Sequence, residues 1–325
     1  MKLLLVNYEY PPLGGGGGVA MQQLARYLGD LHETAVLTSR ARATPSLQME
    51  GNAAVYRAFV LGRRSHAVAS MTSMFSFLPM GVWRGVRAIR YERPDLINTW
   101  FAIPSGPTGV ILSRIFKIPH MLTMIGGDVY DPSKWYSPHR NYLTRSIVRW
   151  TMENSRWLTT WSNDIRERAL ALFGREVPIE VLPMGIEPPQ FAPLDRAALG
   201  MDRNAFYAIA VGRLIRRKRF DLLVDRFALS TDPNVRLLIL GEGPEEETIR
   251  ERIAAHGLES RVELPGAVWG EKKFQYLANS DVYVSVASHE GLGLVFLEAM
   301  ACGLPVLATP VGGQNDILIH GRTGY

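Results

Sequence analysis

The chain has 325 residues, of which 47% are hydrophobic and 21% are charged, and its formal net charge is +5. This is an ordinary globular composition, and the length suits two domains better than one. No run of about eighteen apolar residues occurs, which excludes a conventional membrane-spanning helix. Zinc-finger spacings and RNP-like aromatic motifs are also missing, so nucleic acid is not expected as a partner. The lone Cys302 cannot form an internal disulfide and suits a reducing cytoplasm.

Short apolar runs alternate with amphipathic segments of helical length through the first half of the chain. This alternation indicates βαβ units and a parallel sheet. The opening run is too short for the apolar core of a signal peptide and is predicted to be the first strand. Strands are predicted near Lys2–Tyr8, Thr34–Thr38, Ala54–Val60, Leu96–Trp100, His120–Met124 and Trp157–Trp161, with helices over Val19–Leu28, Pro104–Phe116 and Asp164–Phe173.

A proline-rich stretch, "VLPMGIEPPQFAPL", then interrupts the pattern, and a second series of strand-length runs begins at "AFYAIAVGRL". We therefore predict an N-terminal α/β domain over residues 1–185, a linker over 186–200 and a second α/β domain over 201–325. Two doubly wound domains of this kind would face a central cleft. In such sheets, ligands bind beyond the carboxyl ends of the strands.

Two cations follow the first predicted strand of the second domain. Arg213 lies at the strand end, and Lys218 comes five residues later, where a helix is predicted to begin. A strand end, two cations and a helix N-terminus together favour an anion site, because backbone N–H groups and the helix dipole add to the side-chain charge. A solvated basic turn is the alternative.

Two carboxylates mark the segment "EGLGLVFLEAM". Glu290 precedes a glycine-hinged turn, and Glu298 lies about one turn inside a helix predicted to start near Leu294. Glu298 interrupts an otherwise apolar stretch and therefore needs a partner. The alternative makes Glu298 a surface residue and Glu290 a partner of the helix dipole. The glycines at 14–18 form no P-loop pattern, and the second strand ends without an acid, which argues against a nicotinamide cofactor.

These segments resemble the group 1 (family 4) glycosyltransferases of GT-B fold, which are retaining, use nucleotide sugars and generally need no metal. The resemblance covers nearly the whole chain and is carried by "VGRLIRRK", "LGEGPEEETI" and above all "HEGLGLVFLEAMACGLPVLATPVGG". In the first half, "PPLGGGG", "IGGDV" and "LPMGIEPPQF" look like further family segments.

The resemblance implies a role for each candidate residue. Glu290 would hydrogen-bond the hydroxyls of the donor sugar, and Glu298 would bind the ribose hydroxyls of a UDP- or GDP-linked donor. The cations Arg213 and Lys218 would neutralise the diphosphate, without a metal ion or other cofactor. Backbone along the sugar diphosphate would come from Gly15, Gly16, Gly291, Leu292, Gly293, Leu294, Gly312 and Gly313.

The chain also departs from the family pattern. Family members commonly have histidine where this chain has Ile125 and another near Ala20, so Asp128 or its loop is expected to orient the acceptor. Arg219 stands where glycine is usual. The sequence stops before the family's last strand and closing helices, so we expect a second domain that is incomplete at its C-terminus.

The segment Gly62–Arg93 mixes apolar side chains with arginines. It is either a core helix with solvated arginines or a peripheral contact with an anionic membrane. The arginines of the segment Gly62–Arg93, called the basic set below, are Arg63, Arg64, Arg84, Arg87, Arg90 and Arg93.

The resemblance implies a glycan, lipid-linked or small-molecule acceptor and a cytoplasmic enzyme at the inner face of the cell membrane. The alternatives are a non-catalytic sugar-nucleotide-binding protein and a sugar-nucleotide epimerase.

Overall fold

A computed structural model describes residues 1–63 and 69–325 of the chain. The chain divides into two compact units, Met1–Met184 and Gly185–Tyr325. Both are α/β units built on a mainly parallel sheet, which confirms the predicted fold class.

The first unit has an eight-stranded sheet in the order β3-β4-β2-β1-β5-β6-β7-β8. The pairs are parallel except at one edge, where β3 runs antiparallel to β4. The strand order reverses between β1 and β5, which opens a crevice at the carboxyl ends of these strands. The strands are β1 Lys2–Val6, β2 Glu33–Ser39, β3 Leu47–Glu50, β4 Ala53–Ala58, β5 Leu96–Trp100, β6 His120–Met124, β7 Trp157–Thr160 and β8 Glu180–Val181; the helices are α1 Gly16–Leu31, α2 Met71–Glu92, α3 Ser105–Phe116, α4 Tyr142–Glu153 and α5 Asn163–Phe173.

The second unit has a five-stranded parallel sheet in the order β11-β10-β9-β12-β13. Alternate residues of its strands point to opposite faces, and both faces are buried. Tyr207 and Ile209 of β9 pack into one core cluster, while Ala208 and Ala210 pack into the other. The strands are β9 Phe206–Val211, β10 Val235–Leu240, β11 Val262–Gly266, β12 Val282–Ser285 and β13 Val306–Ala308; the helices are α6 Phe220–Phe227, α7 Glu246–Ala255, α8 Glu271–Ala278 and α9 Leu294–Ala301.

Helix α2 lies within the segment for which two interpretations were open. One face is core, since Phe77, Gly85 and Ile89 are buried. The opposite face exposes Phe75 and Trp83, whose side chains are 57% and 56% accessible. The core interpretation is therefore confirmed for one face of the helix, and the membrane contact stays a prediction for the other. Of the predicted basic set, Arg64 lies outside the described residues.

Candidate functional site

Three loops converge at the carboxyl ends of β9, β12 and β13. The backbone N–H and the hydroxyl of Ser288 both donate to the carbonyl of Arg217, at 2.9 and 3.1 Å. The Thr309 hydroxyl donates to the carbonyl of Ala287 at 2.9 Å, and the Gly313 N–H donates to the carbonyl of Glu290 at 2.8 Å. These bonds hold the loops over residues 212–219, 287–293 and 309–313 against one another.

Close backbone contacts explain two of the glycines around these loops. A Cβ at Gly241, just after β10, would lie 1.9 Å from the carbonyl oxygen of Gly212. A Cβ at Gly312 would lie 2.2 Å from the carbonyl oxygen of Glu290, and Gly312 has a φ of +65°. The "LGEG" and "VGG" segments therefore carry glycine where another backbone approaches, which fixes the loops that carry Arg213 and Glu290.

The structure brings Lys218 and Glu290 together in an ion pair, with side chains that are 14% and 9% exposed. A solvated basic turn therefore does not describe Lys218. Burial alone would raise the pKa of Glu290, but the charges of Lys218 and Arg217 hold it below its usual value. Glu290 is thus a buried carboxylate kept ionised by cations from the loop after β9.

The loop after β9 turns sharply into α6. Arg216–Lys218 form a short 3-10 helix, and Arg219 follows in the left-handed conformation with a φ of 54°. Glycine adopts that conformation without steric cost, so the arginine here carries some strain. Arg213 lies two residues after β9, partly buried, at the same end of the sheet.

Glu298 has the charged partner that was expected for a carboxylate in an apolar stretch. It lies one turn inside α9, which begins at Leu294 as predicted. Its Oε1 accepts a hydrogen bond from Nζ of Lys273, on α8, at 2.6 Å. Sequence reasoning missed Lys273, although a signal was present. Lys273 lies four positions before the buried Leu277, so a lysine occupies the core-facing side of α8.

The backbone between the two acids caps α9. Gly293 is the residue before the helix, and Leu292 is buried beneath the turn. Gly291, Gly293 and Leu294 therefore lie at the N-terminus of α9, where the first N–H groups of a helix have no intrahelical partner. Such a terminus suits a phosphate or a sugar hydroxyl.

In the first unit, Gly15 and Gly16 form the N-terminus of α1. The Gly15 N–H donates to Oε2 of Glu9 at 3.1 Å, and Gly16 begins the helix with an exposed backbone. A Cβ at the neighbouring Gly17 would lie 2.7 Å from Cδ1 of Ile125. The position at which the family commonly has histidine therefore makes an apolar contact with the first turn of α1.

Asp128 is buried in the loop after β6. Its Oδ2 accepts from the Ala102 N–H at 2.7 Å, and its Oδ1 accepts from the Gly126 N–H at 2.9 Å. Burial raises its pKa, against the backbone hydrogen bonds that lower it. Asp128 thus ties the loop after β6 to the loop after β5, and its role toward an acceptor stays a prediction.

The site in the second unit is suited to a phosphorylated, hydroxyl-rich ligand. Its acids can accept from hydroxyl groups, while its cations and the N-terminus of α9 favour negative charge. Within residues 1–63 and 69–325, no group of three or more histidine, cysteine, aspartate or glutamate side chains could hold a metal ion.

Two family models match the chain. The Glycosyl transferase 4-like domain matches residues 15–185, and Glycosyl transferases group 1 matches residues 192–325. The N-acetyl-alpha-D-glucosaminyl L-malate synthase of Bacillus anthracis is 26% identical, over all of this chain and 83% of that protein. The putative teichuronic acid biosynthesis glycosyltransferase TuaC of Bacillus subtilis is 29% identical, over 69% of this chain and only 55% of that protein.

Solved structures agree with the fold. Sucrose-phosphate synthase from Thermosynechococcus elongatus superposes with a TM-score of 0.85 at 23% identity, over all of this chain and 85% of that one. Anabaena HepE in complex with UDP-glucose gives a TM-score of 0.77 at 21% identity, with the same shares covered. At these identities the likeness concerns the fold alone.

Proposed function

Since the chain belongs to the group 1 glycosyltransferases and has their GT-B fold, we propose that it transfers a sugar from a nucleoside diphosphate donor, with retention at the anomeric carbon. The observation that carries this proposal is the Lys218–Glu290 pair, which sits at the carboxyl ends of adjacent strands β9 and β12. The UDP-glucose complex of HepE supports a nucleotide-sugar donor for this chain as well.

The pair offers complementary chemistry to the two ends of a sugar diphosphate. A lysine ammonium has three donors. One N–H group of Lys218 binds Glu290, and the other two N–H groups can donate to phosphate oxygens. The Glu290 carboxylate accepts hydrogen bonds from the hydroxyls of the donor sugar, while Lys218 and Arg213 stabilise the charge that develops on the diphosphate as the glycosidic bond breaks. Backbone N–H groups at Leu292–Leu294 and at Gly312 complete the cradle within the second unit.

We further propose that the donor is UDP- or GDP-linked and that its ribose hydroxyls bind Glu298. Fixed cations then do the work that a divalent metal does in other transferases, so no metal or other cofactor is required. The acceptor is a glycan or a lipid-linked sugar that binds the first unit near the loop held by Asp128.

The exposed face of α2 favours a peripheral contact with an anionic membrane at the cytoplasmic side. Aromatic side chains and arginines share this face, which is the composition of an interfacial helix. No helix in the described ranges has both the length and the hydrophobicity that a membrane span requires.

A donor screen followed by variants tests the proposal. Thermal shift with UDP-glucose, UDP-N-acetylglucosamine and GDP-mannose should identify one stabilising donor, whose nucleotide release is then measured. Arg213→Ala and Lys218→Ala should each lower turnover about 10²–10³-fold, the scale for removing a positioned charge-stabilising donor. Arg250→Ala, at an exposed arginine on α7, is the matched control.

Two further arms test the finer points. Turnover should persist in excess chelator, and the product's anomeric configuration, read by NMR, should match that of the donor. Unchanged turnover and donor affinity in both cation variants would refute the diphosphate assignment. A complete, metal-reversible loss of turnover in chelator would refute metal independence, and an inverted product would refute retention.

A further inference from the structure

We propose that Lys273 is a positioning residue that holds Glu298 for the ribose of the donor nucleotide. This inference rests on the proposed function and adds to it a residue outside the glycine-rich and acidic segments. It begins from the contact between α8 and α9, in which Nζ of Lys273 lies 2.6 Å from Oε1 of Glu298.

The burial of this pair points to a role other than stability. The side chains of Lys273 and Glu298 are only 16% and 15% exposed. Removing two charges from water costs free energy that their attraction offsets only in part, so a buried pair is a poor stabiliser compared with apolar side chains of similar volume. Fixing the orientation of a carboxylate is a task that apolar side chains cannot perform.

The pair lies at the end of the sheet where ligands bind. Helix α8 follows β11 and α9 follows β12, and in a parallel sheet the helices begin at the carboxyl ends of the strands. Lys273 is the third residue of α8 and Glu298 the fifth of α9. Both side chains therefore lie within about two turns of the ligand-binding edge.

The remaining hydrogen-bonding capacity of Glu298 suits a diol. An ionised carboxylate offers about four lone-pair sites on two oxygens. Lys273 occupies Oε1, and Oε2 accepts no hydrogen bond from any residue in the ranges 1–63 and 69–325. Two neighbouring hydroxyls, as on a ribose, match one carboxylate whose rotamer is fixed from the other side.

Lys273 is itself held in place. Its Nζ lies 4.5 Å from the ring centroid of Phe274, a cation–π distance. Phe274 in turn stacks on Phe191, with ring centroids 6.2 Å apart and planes at 15°. The ammonium thus has an aromatic contact and a carboxylate contact, which restrict its rotamers and make it a rigid support for Glu298.

The test is discrimination between ribose and 2′-deoxyribose. Dissociation constants for UDP, GDP and their 2′-deoxy forms are measured by calorimetry on the full chain. For whichever nucleotide binds, the parent protein should prefer the ribose form by roughly tenfold or more, the value of a hydrogen bond to a charged group. Lys273→Met should lose most of that preference, and Lys273→Arg should retain part of it.

A second variant separates positioning from loss of fold. Arg196→Met breaks another partly buried ion pair of the same unit, Arg196–Asp281 at 2.8 Å, and should lower the Tm without changing the ribose preference. An unchanged ribose preference in Lys273→Met, or a parent protein that binds nucleotides without any such preference, would overturn the role of Lys273 alone. A parent protein that binds neither UDP nor GDP would overturn the proposed donor class and this role with it.

Discussion

At the scale of single residues, Lys218 and Glu290 depend on each other. Lys218 lowers the cost of burying the Glu290 carboxylate, and Glu290 holds the ammonium at the carboxyl end of β9. Removing one partner leaves an uncompensated buried charge, which typically costs about 3–5 kcal/mol, while replacing both is often close to neutral. Lys218→Ala will therefore lower stability as well as turnover, so activity has to be compared at temperatures well below the Tm.

We predict a double-mutant cycle with a pH signature. Lys218→Met should destabilise by about 3 kcal/mol at neutral pH, and Lys218→Met combined with Glu290→Gln should recover most of that loss. Without Lys218, the effect of burial is opposed mainly by the charge of Arg217, so the pKa of Glu290 in the folded variant is higher than in the folded parent. The stability deficit of this variant relative to the parent should therefore grow as the pH rises from acid to neutral values.

Urea denaturation of the parent and three variants between pH 3 and 8 measures this cycle. In the parent, the depressed pKa of Glu290 contributes stability above the unfolded pKa, and that stability is lost as the pH falls through the folded pKa. The Glu290→Gln control lacks this acid-side loss. Additive effects of the two substitutions, with no pH dependence, would contradict the pairing.

At the scale of elements, sequence patterns predicted the strands that are buried and missed a strand that is defined only by its pairing with a neighbour. The strands β5 and β6 match their predictions residue for residue, because their strand-length runs are largely buried on both faces. The edge strand β3 was missed because Leu47–Glu50 is largely exposed and has no apolar run.

The same contrast holds in the candidate site. An acid inside an apolar helix predicted that Glu298 needs a partner, but which side chain reaches it depends on how α8 packs beside α9. Lys218 and Glu290 are 72 residues apart in the sequence, and only the parallel pairing of β9 with β12 makes them neighbours. Long-range pairing of this kind leaves no local pattern in the sequence.

His120, the first residue of β6, makes the stability of the first unit depend on pH. The ring nitrogens of His120 lie 2.9 Å from the hydroxyls of Ser155 and Thr99, and burial lowers its pKa from 6.5 to about 4. Below pH 6.5 the unfolded chain takes up a proton that the folded chain does not. Stability is therefore lost as the pH falls from about 6.5 towards 4.

We predict that this histidine accounts for about 1.4 kcal/mol of lost stability between pH 7.5 and 5.5, one pKa unit of linkage. Urea denaturation at both pH values should show this loss in the parent and not in His120→Gln, whose amide can still hydrogen-bond Thr99 or Ser155. Because other groups titrate too, the difference between the two proteins is the quantity to compare. Parallel pH profiles for both proteins would show that His120 is not responsible.

At the scale of the whole molecule, the two units carry different parts of the proposed reaction. The ion pairs assigned to the donor lie in residues 185–325. The first unit carries the N-terminus of α1, the loop after β6 that Asp128 holds in place, and the exposed face of α2. In this proposal, the first unit binds a membrane-bound or lipid-linked acceptor and the second unit binds the nucleotide.

The exposed face of α2 leads to a test of membrane contact. Phe75, Met80 and Trp83 are exposed on this helix together with Arg87 and Arg90, and the Arg87 guanidinium lies 3.9 Å from the Trp83 ring centroid. Basic residues near an anionic surface contribute about 1 kcal/mol each. We predict that Arg87→Glu with Arg90→Glu weakens co-sedimentation with phosphatidylglycerol vesicles by at least about 2 kcal/mol at low salt, whereas phosphatidylcholine vesicles bind neither protein.

Arg84 is unsuitable for this variant, because its guanidinium donates to the carbonyl of Ser46 at 2.6 Å and packs over the Tyr56 ring. The matched control reverses two exposed arginines elsewhere on the same unit, Arg149→Glu with Arg166→Glu, which changes the net charge equally. If charge alone mattered, both double variants would lose binding to the same extent. Loss confined to the α2 variant, with a further loss in Trp83→Ser, would place the membrane against α2. Full recovery of the parent in the supernatant at low salt would contradict membrane docking and favour an acceptor taken from solution.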